Sequence, residues 1–125
     1  MCYIYVCINR QIARIRVKKT ILIDLDGVLN EYTGFFDEKF IPPIKFGAKV
    51  FLERLADCYE IKLFTTRNKI LASKWLVDNN LDELIKDVTN IKEPCWVYVD
   101  DRSITFDGDF DILRDKIDNF KPYYK

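Results

Sequence analysis

The chain has 125 residues, with twenty lysines and arginines balanced by twenty acids, no histidine, 49% hydrophobic residues and 14% aromatics. That is the length of one ordinary domain with enough apolar surface for a packed core, which argues against intrinsic disorder. The absence of histidine rules out Ser-His-Asp and Cys-His catalysis, imidazole general-base chemistry and histidine-containing zinc sites, so carboxylates must carry any chemistry. Zero net charge argues against holding duplex nucleic acid by phosphate neutralisation alone, although a local basic patch survives such averaging.

Cys2, Cys7, Cys58 and Cys95 contain no C-x-x-C pair and read as reduced thiols, with Cys58 in the core. No run approaches the roughly twenty apolar residues of a membrane span, and no signal peptide is read. The expectation is a single cytoplasmic domain over residues 1–125, with 1–19 as an N-terminal strand or arm.

Tyr3 to Ile8 is apolar, and Asn9 to Lys19 is basic, with Arg10, Arg14, Arg16, Lys18 and Lys19. Alternation from Ala13 to Val17 suits an edge strand; a basic arm touching nucleic acid and a frayed terminus are the competing readings. Thr20 to Asp24 carries Ile21, Leu22 and Ile23 without a break, which predicts a strand buried on both faces. From Asn30 to Phe46 the chain makes a turn-rich excursion with Gly34, Phe35, Phe36 and Pro42-Pro43, read either as a movable cover or as a rigid packed loop. Its aromatics, Tyr32, Phe35, Phe36 and Phe46, read either as the lining of a substrate pocket or, more commonly under a long loop, as a satellite core.

After Gly47, the residues Val50, Phe51, Leu52, Leu55 and Ala56 recur at helical spacing, and Ile61 to Phe64 forms a second apolar strand ending in Thr65-Thr66-Arg67. Asn68 can cap a helix whose Ile70, Leu71, Trp75, Leu76 and Val77 face inward. A short amphipathic piece follows from Leu81 to Lys86, and Val88 and Ile91 mark a short strand. Cys95 to Val99 reads as a strand ending in Asp100-Asp101, and Phe110 to Phe120 as a helix with Phe110, Leu113, Ile117 and Phe120 on one face. Strands alternating with helices predict a parallel α/β sheet covered on both sides.

Three of these strands end in polar groups: Asp24 and Asp26, then Thr65, then Asp100 and Asp101. In an open parallel sheet the ligand crevice lies at the carboxyl ends of the strands, so these groups are expected to converge. Clustered carboxylates form a hard-oxygen environment suited to magnesium, which binds through one or two carboxylates plus substrate phosphate. Gly27 lets the backbone turn and a phosphate approach exposed N–H groups, Thr65 offers a hydroxyl, and Lys92 a mobile positive charge. Arg67 and Arg102 each can bind phosphate or pair with a neighbouring acid.

The stretch ILIDLDGVLN, residues 21–30, resembles motif one of the haloacid dehalogenase (HAD) superfamily of phosphotransferases. A threonine ending the second strand, a lysine, and a double acid ending a later strand follow in the family's order. The resemblance implies a three-layer α/β/α sandwich with a parallel Rossmann-like sheet and no large cap. It further implies Asp24 as nucleophile, Asp26 as general acid and base, Thr65 as phosphate-binding hydroxyl, Lys92 as the neutralising lysine, and Asp100 with Asp101 as metal-binding acids beside Asp24 and Asp26. Gly27, Thr66 and Arg67 fall on the substrate side. Thr66 competes with Thr65, Lys86 with Lys92, and Asp100 with Asp101 for direct contact.

The stretch Phe64 to Arg67, the run YVDDRSITFDGDF and the Phe120-Lys121-Pro122 end with its aromatic pair are similar to small phage and bacterial hydrolase-like proteins of that superfamily. The implied activity is magnesium-dependent hydrolysis of a phosphomonoester, either a phosphorylated small molecule or a nucleotide or nucleic-acid end, through an aspartyl-phosphate. The alternative is a non-catalytic or regulatory module, HAD-like or receiver-like; a receiver carries its acid pair on the first strand and the phosphorylated aspartate on a middle one.

Overall fold

The computed structural model describes residues 3–125 and has a mixed α/β architecture. Strands β1 (Tyr3–Ile8) and β2 (Gln11–Arg16) form an antiparallel hairpin separate from the main sheet. Between them Asn9 and Arg10 both take positive φ, 50° and 65°, a two-residue turn whose twist matches the strands it joins. The alternating segment is therefore a strand, but its partner is the apolar stretch just before it, which the tight turn folds back within hydrogen-bonding reach. Cys2 lies outside the described residues.

The main sheet consists of β3 (Lys19–Asp24), β4 (Tyr59–Phe64), β5 (Asp87–Thr89) and β6 (Val97–Val99), all parallel, in the order β5-β4-β3-β6. Its helices are α1 (Ala48–Ala56), α2 (Lys69–Asp78) and α3 (Phe110–Asp118). Ile21, Leu22 and Ile23 are 4%, 1% and 0% exposed, as the unbroken apolar run of β3 requires. Ile21 and Ile23 stand in register with Ile61 and Leu63 of β4, and these residues form one core cluster with Leu52 of α1 and Ala72, Trp75 and Leu76 of α2. Burying each such large apolar side chain is worth about 1.5–3 kcal/mol.

Helix α1 begins after Gly47, whose φ of 86° suits glycine, and buries Ala48 and Leu52 while Val50 and Phe51 stay outside. The Asn68 side chain accepts from the N–H groups of Ile70 and Leu71 and so starts α2 as expected. Ile70 and Val77 point outward, because a helix laid on a sheet buries only one stripe and Ala72, Trp75 and Leu76 define it.

Alternation puts Leu22, Lys62, Phe64 and Tyr98 on the opposite sheet face. That face is more polar: Lys62 pairs with Glu93 at 2.8 Å and Lys86 with Glu60 at 2.9 Å. Helix α3 has no buried residue, and its Phe110 and Ile117 remain exposed. The inward stripe expected for α3 is absent because a helix buries an apolar stripe only against a packed element, and among the described residues α3 lies against no other strand or helix. Phe35, Phe36 and Phe46 are likewise exposed, not a satellite core. Cys58 is exposed and disulfide-bonded, unlike the buried reduced thiol expected there, while Cys7 and Cys95 are free. No helix among the described residues is long and apolar enough to cross a membrane.

Candidate active site

From β3 the chain steps outward through β4 to β5, then returns to place β6 on the other side of β3. The strand order reverses between β3 and β6, and their carboxyl ends flank the crevice such a reversal opens. Register sets the acids beside one another: Ile23 is opposite Val99, so Asp24 and Asp100 follow at the same level. Asp24, Asp100 and Asp101 each bring a carboxylate oxygen within 4.8 Å of the other two.

Among the described residues, no ion pair involves any of these three acids. Their partners are neutral donors: Leu25 N–H to Asp24 at 2.9 Å, Arg102 N–H to Asp100 at 2.8 Å, and the Tyr124 hydroxyl to Asp101 at 2.7 Å. Burial, reinforced by the carboxylates of Asp101, Asp100 and Asp26, pushes the Asp24 carboxyl up to about 9. The three carboxylates could hold a metal ion, and oxygen-only donors are of the hard type.

Asp26 stands apart from this trio. Its Oδ2 accepts from Arg67 Nε at 2.7 Å, and its Oδ1 accepts from Arg67 Nη2 and Asn30 Nδ2, both at 3.0 Å. Arg67 is buried, gives Nη1 to the Asp37 carbonyl at 2.7 Å, and lies 4.5 Å from the Phe36 ring centre. Of the two readings of this arginine, pairing with a neighbouring acid is the arrangement present.

Gly27 turns the chain at φ 82°, and its N–H reaches Asn30 Oδ1 at 3.1 Å. A Cβ at this position would collide with the Asp101 carboxylate and press on the Tyr124 ring, so the close approach needs glycine. Thr65 is buried, its Oγ1 accepting from the Arg67 N–H at 3.2 Å, whereas Thr66 is exposed. Both line a cleft of about 270 Å³ together with Asp24, Asp26, Asp100 and Asp101. Arg102 also borders that cleft.

Lys92 lines a second cavity of about 480 Å³ that shares Asp24, Phe64 and Asp100 with the first and is walled by Trp96 and Tyr98. Its ammonium lies 4.9 Å from the Tyr98 ring centre. Lys86 is at the opposite end of the sheet, paired with Glu60 near the start of β4.

Three residues of the site, Asn30, Tyr123 and Tyr124, fall in stretches that resemble the family but have no role assigned from the sequence. Asn30, 0% exposed, organises the turn by accepting from the N–H groups of Gly27 and Tyr32 while donating to Asp26. An amide four residues after Asp26, on the far side of an apolar pair, is the only signal available. Tyr123 donates to the Gly27 carbonyl at 2.7 Å, and Tyr124 to Asp101, closing the turn from far along the chain. Comparison with protein-family models, curated proteins and solved structures gives no match.

Proposed function

We propose that this chain is a small, capless phosphohydrolase of the HAD-like type, folded as a three-layer sandwich and cleaving phosphomonoesters with magnesium held by Asp24, Asp100 and Asp101. The observation that carries the reading is the convergence of those three carboxylates at the strand-order reversal, free of ion pairs, with Thr65 and Thr66 across the same cleft. The order of the Asp-x-Asp, threonine, lysine and Asp-Asp elements supports it further. Bound there, magnesium would offset the repulsion between an anionic nucleophile and a phosphate dianion.

Asp24 forms an oxygen–phosphorus bond as the ester bond to the leaving alcohol breaks, giving an aspartyl-phosphate. Water then attacks phosphorus, the Asp24 oxygen departs with its electron pair, and inorganic phosphate is released. Asp26 protonates the leaving alcohol and later accepts a proton from water. Arg67 and Asn30 hold both its oxygens, so delivering a proton requires one of those bonds to be exchanged for substrate. Thr65, Thr66 and Lys92 hold the phosphoryl oxygens.

The test is phosphate release from a panel of sugar phosphates, nucleotides and 5′- or 3′-phosphorylated oligonucleotides with magnesium present. Turnover should fall on the order of 10³-fold or more in Asp24→Asn, which keeps the shape and loses the nucleophile. Unchanged release by that variant would require another nucleophile. Metal-dependent binding of phosphoesters without release would favour the non-catalytic module.

A further inference from the structure

The β1–β2 hairpin takes no part in the acid cluster, and its charge is opposite in sign. Before Asp24 the sequence holds Arg10, Arg14, Arg16, Lys18 and Lys19 and not one aspartate or glutamate. Because the whole chain is neutral, everything after the hairpin carries a matching excess of acid. Of the twenty lysines and arginines, Arg10, Arg14 and Arg16 lie in the hairpin, which contains no acid, and among the described residues β1 and β2 lie close to no other strand or helix.

We infer that this hairpin is a binding ribbon for single-stranded nucleic acid. Tyr5 stands opposite Arg14, and alternation puts Tyr3 on the same face. The Arg14 guanidinium lies 4.5 Å from the Tyr3 ring centre, and Tyr5 is 65% exposed. Neither Arg10 at the turn nor Arg14 forms an ion pair among the described residues, in a protein with twenty acids to choose from.

Unpaired cations alternating with open phenol rings are what a polynucleotide engages: the charges neutralise successive phosphates and the rings stack on unpaired bases. The apolar side chains Val6, Ala13 and Ile15 lie on the other face, and its central pair, Val6 with Ala13, is half-buried. The face that holds Tyr3, Tyr5 and Arg14 also holds Ile12, 79% exposed, and the opposite face holds Ile8, 52% exposed, so both faces are open and only the first combines a cation with aromatic rings. Phenol rings beside a guanidinium are the pairing that favours a strand of bases. The inference does not depend on turnover at Asp24.

Fluorescence anisotropy of a labelled oligothymidylate with the full chain, across about 50 to 200 mM salt and without magnesium, tests it. Saturable binding that weakens with salt is expected, and it should be undiminished in Asp24→Asn, so failure here and failure of the phosphohydrolase reading are separable. The double variant Arg10→Gln with Arg14→Gln should bind about tenfold or more weakly at low salt. Its log–log salt slope should be shallower by about 1.4, or about 0.7 for each phosphate that is no longer neutralised. Tyr5→Ala should weaken binding several-fold and Tyr5→Phe should not, since the ring alone stacks.

Circular dichroism melts matching the parent establish that the variants are folded; Arg14→Lys, which keeps the charge, should retain the slope and gives a second reading if a neutral variant misfolds. No binding at the lowest salt, or the same affinity and slope in the folded double variant, overturns the inference. So does capture on phosphatidylserine vesicles, abolished in the double variant, without oligonucleotide binding, which would make the ribbon a membrane-binding element.

Discussion

Arg67 is the side chain on which most of the local order around the cleft depends. It ties Asp26 with two bonds, holds the Asp37 carbonyl, and packs beside Phe36. With only 1% of its side chain exposed and 17% of that of Asp26, truncation leaves a largely desolvated carboxylate without its counter-charge. Arg67→Ala should cost on the order of 3 kcal/mol in urea denaturation, and Arg67→Lys a smaller amount, because an ammonium cannot bond both carboxylate oxygens in the same planar fork. A loss under about 1 kcal/mol for the alanine variant would mean that water replaces the guanidinium freely. From the sequence this arginine has two equal readings, since nothing in a linear string reports whether an acid 41 positions away sits within bonding distance. Asp24, Gly27 and the Asp100-Asp101 pair are legible because each marks the end of an apolar strand, and a strand end is a local signal.

Among the helices, capping separates two kinds of stability. Asn68 starts α2 and Asp109 starts α3, each accepting two backbone N–H bonds. Helix α2 buries Ala72, Trp75 and Leu76, while α3 buries nothing. Asn68→Ala should therefore lower global stability by about 1 kcal/mol in chemical denaturation, whereas Asp109→Ala should fray α3 and leave the global midpoint nearly unchanged. Hydrogen exchange distinguishes the two: faster exchange confined to residues near 110–118 is expected for the second variant only. The Asn30 to Phe46 excursion is anchored at both limbs, by the Asn30–Ile44 bridge and by the Trp75 indole bonded to the Pro42 carbonyl. Between them Phe35 is exposed, while Arg67 holds the Asp37 carbonyl and packs beside Phe36. Strand and helix types are legible from periodicity. The exposure of the α3 stripe is not, because it depends on whether another element packs against α3, and among the described residues no strand or helix does.

For the molecule as a whole, the acid cluster makes stability depend on pH. In the metal-free protein Asp24 titrates at about 9 when folded against an ordinary value of 3.8. Between those limits the folded state keeps a proton that the unfolded chain has released, so stability is highest near the lower limit and declines as pH rises. Urea midpoints of chelator-treated protein should fall from about pH 5 toward pH 9, and Asn at position 24 should flatten that decline. A wild-type profile indistinguishable from that of Asp24→Asn would mean that solvent already screens the cluster. The separation of charge, basic before residue 24 and acidic after it, is legible in the sequence; the formation of β1 and β2 as a hairpin separate from the main sheet is not, because the segment could equally have joined that sheet.

The two tyrosines give the site a history as well as a shape. The Gly27 carbonyl waits for a donor 96 positions downstream. During synthesis β3 is long complete before that donor is added. Closing so long a loop costs entropy that grows only with the logarithm of its length, and the bond returns little until the sheet has brought its ends together. The cleft therefore depends on a contact that joins the turn after β3 to residues 123 and 124, and it is complete only when sheet and tyrosines are both in place.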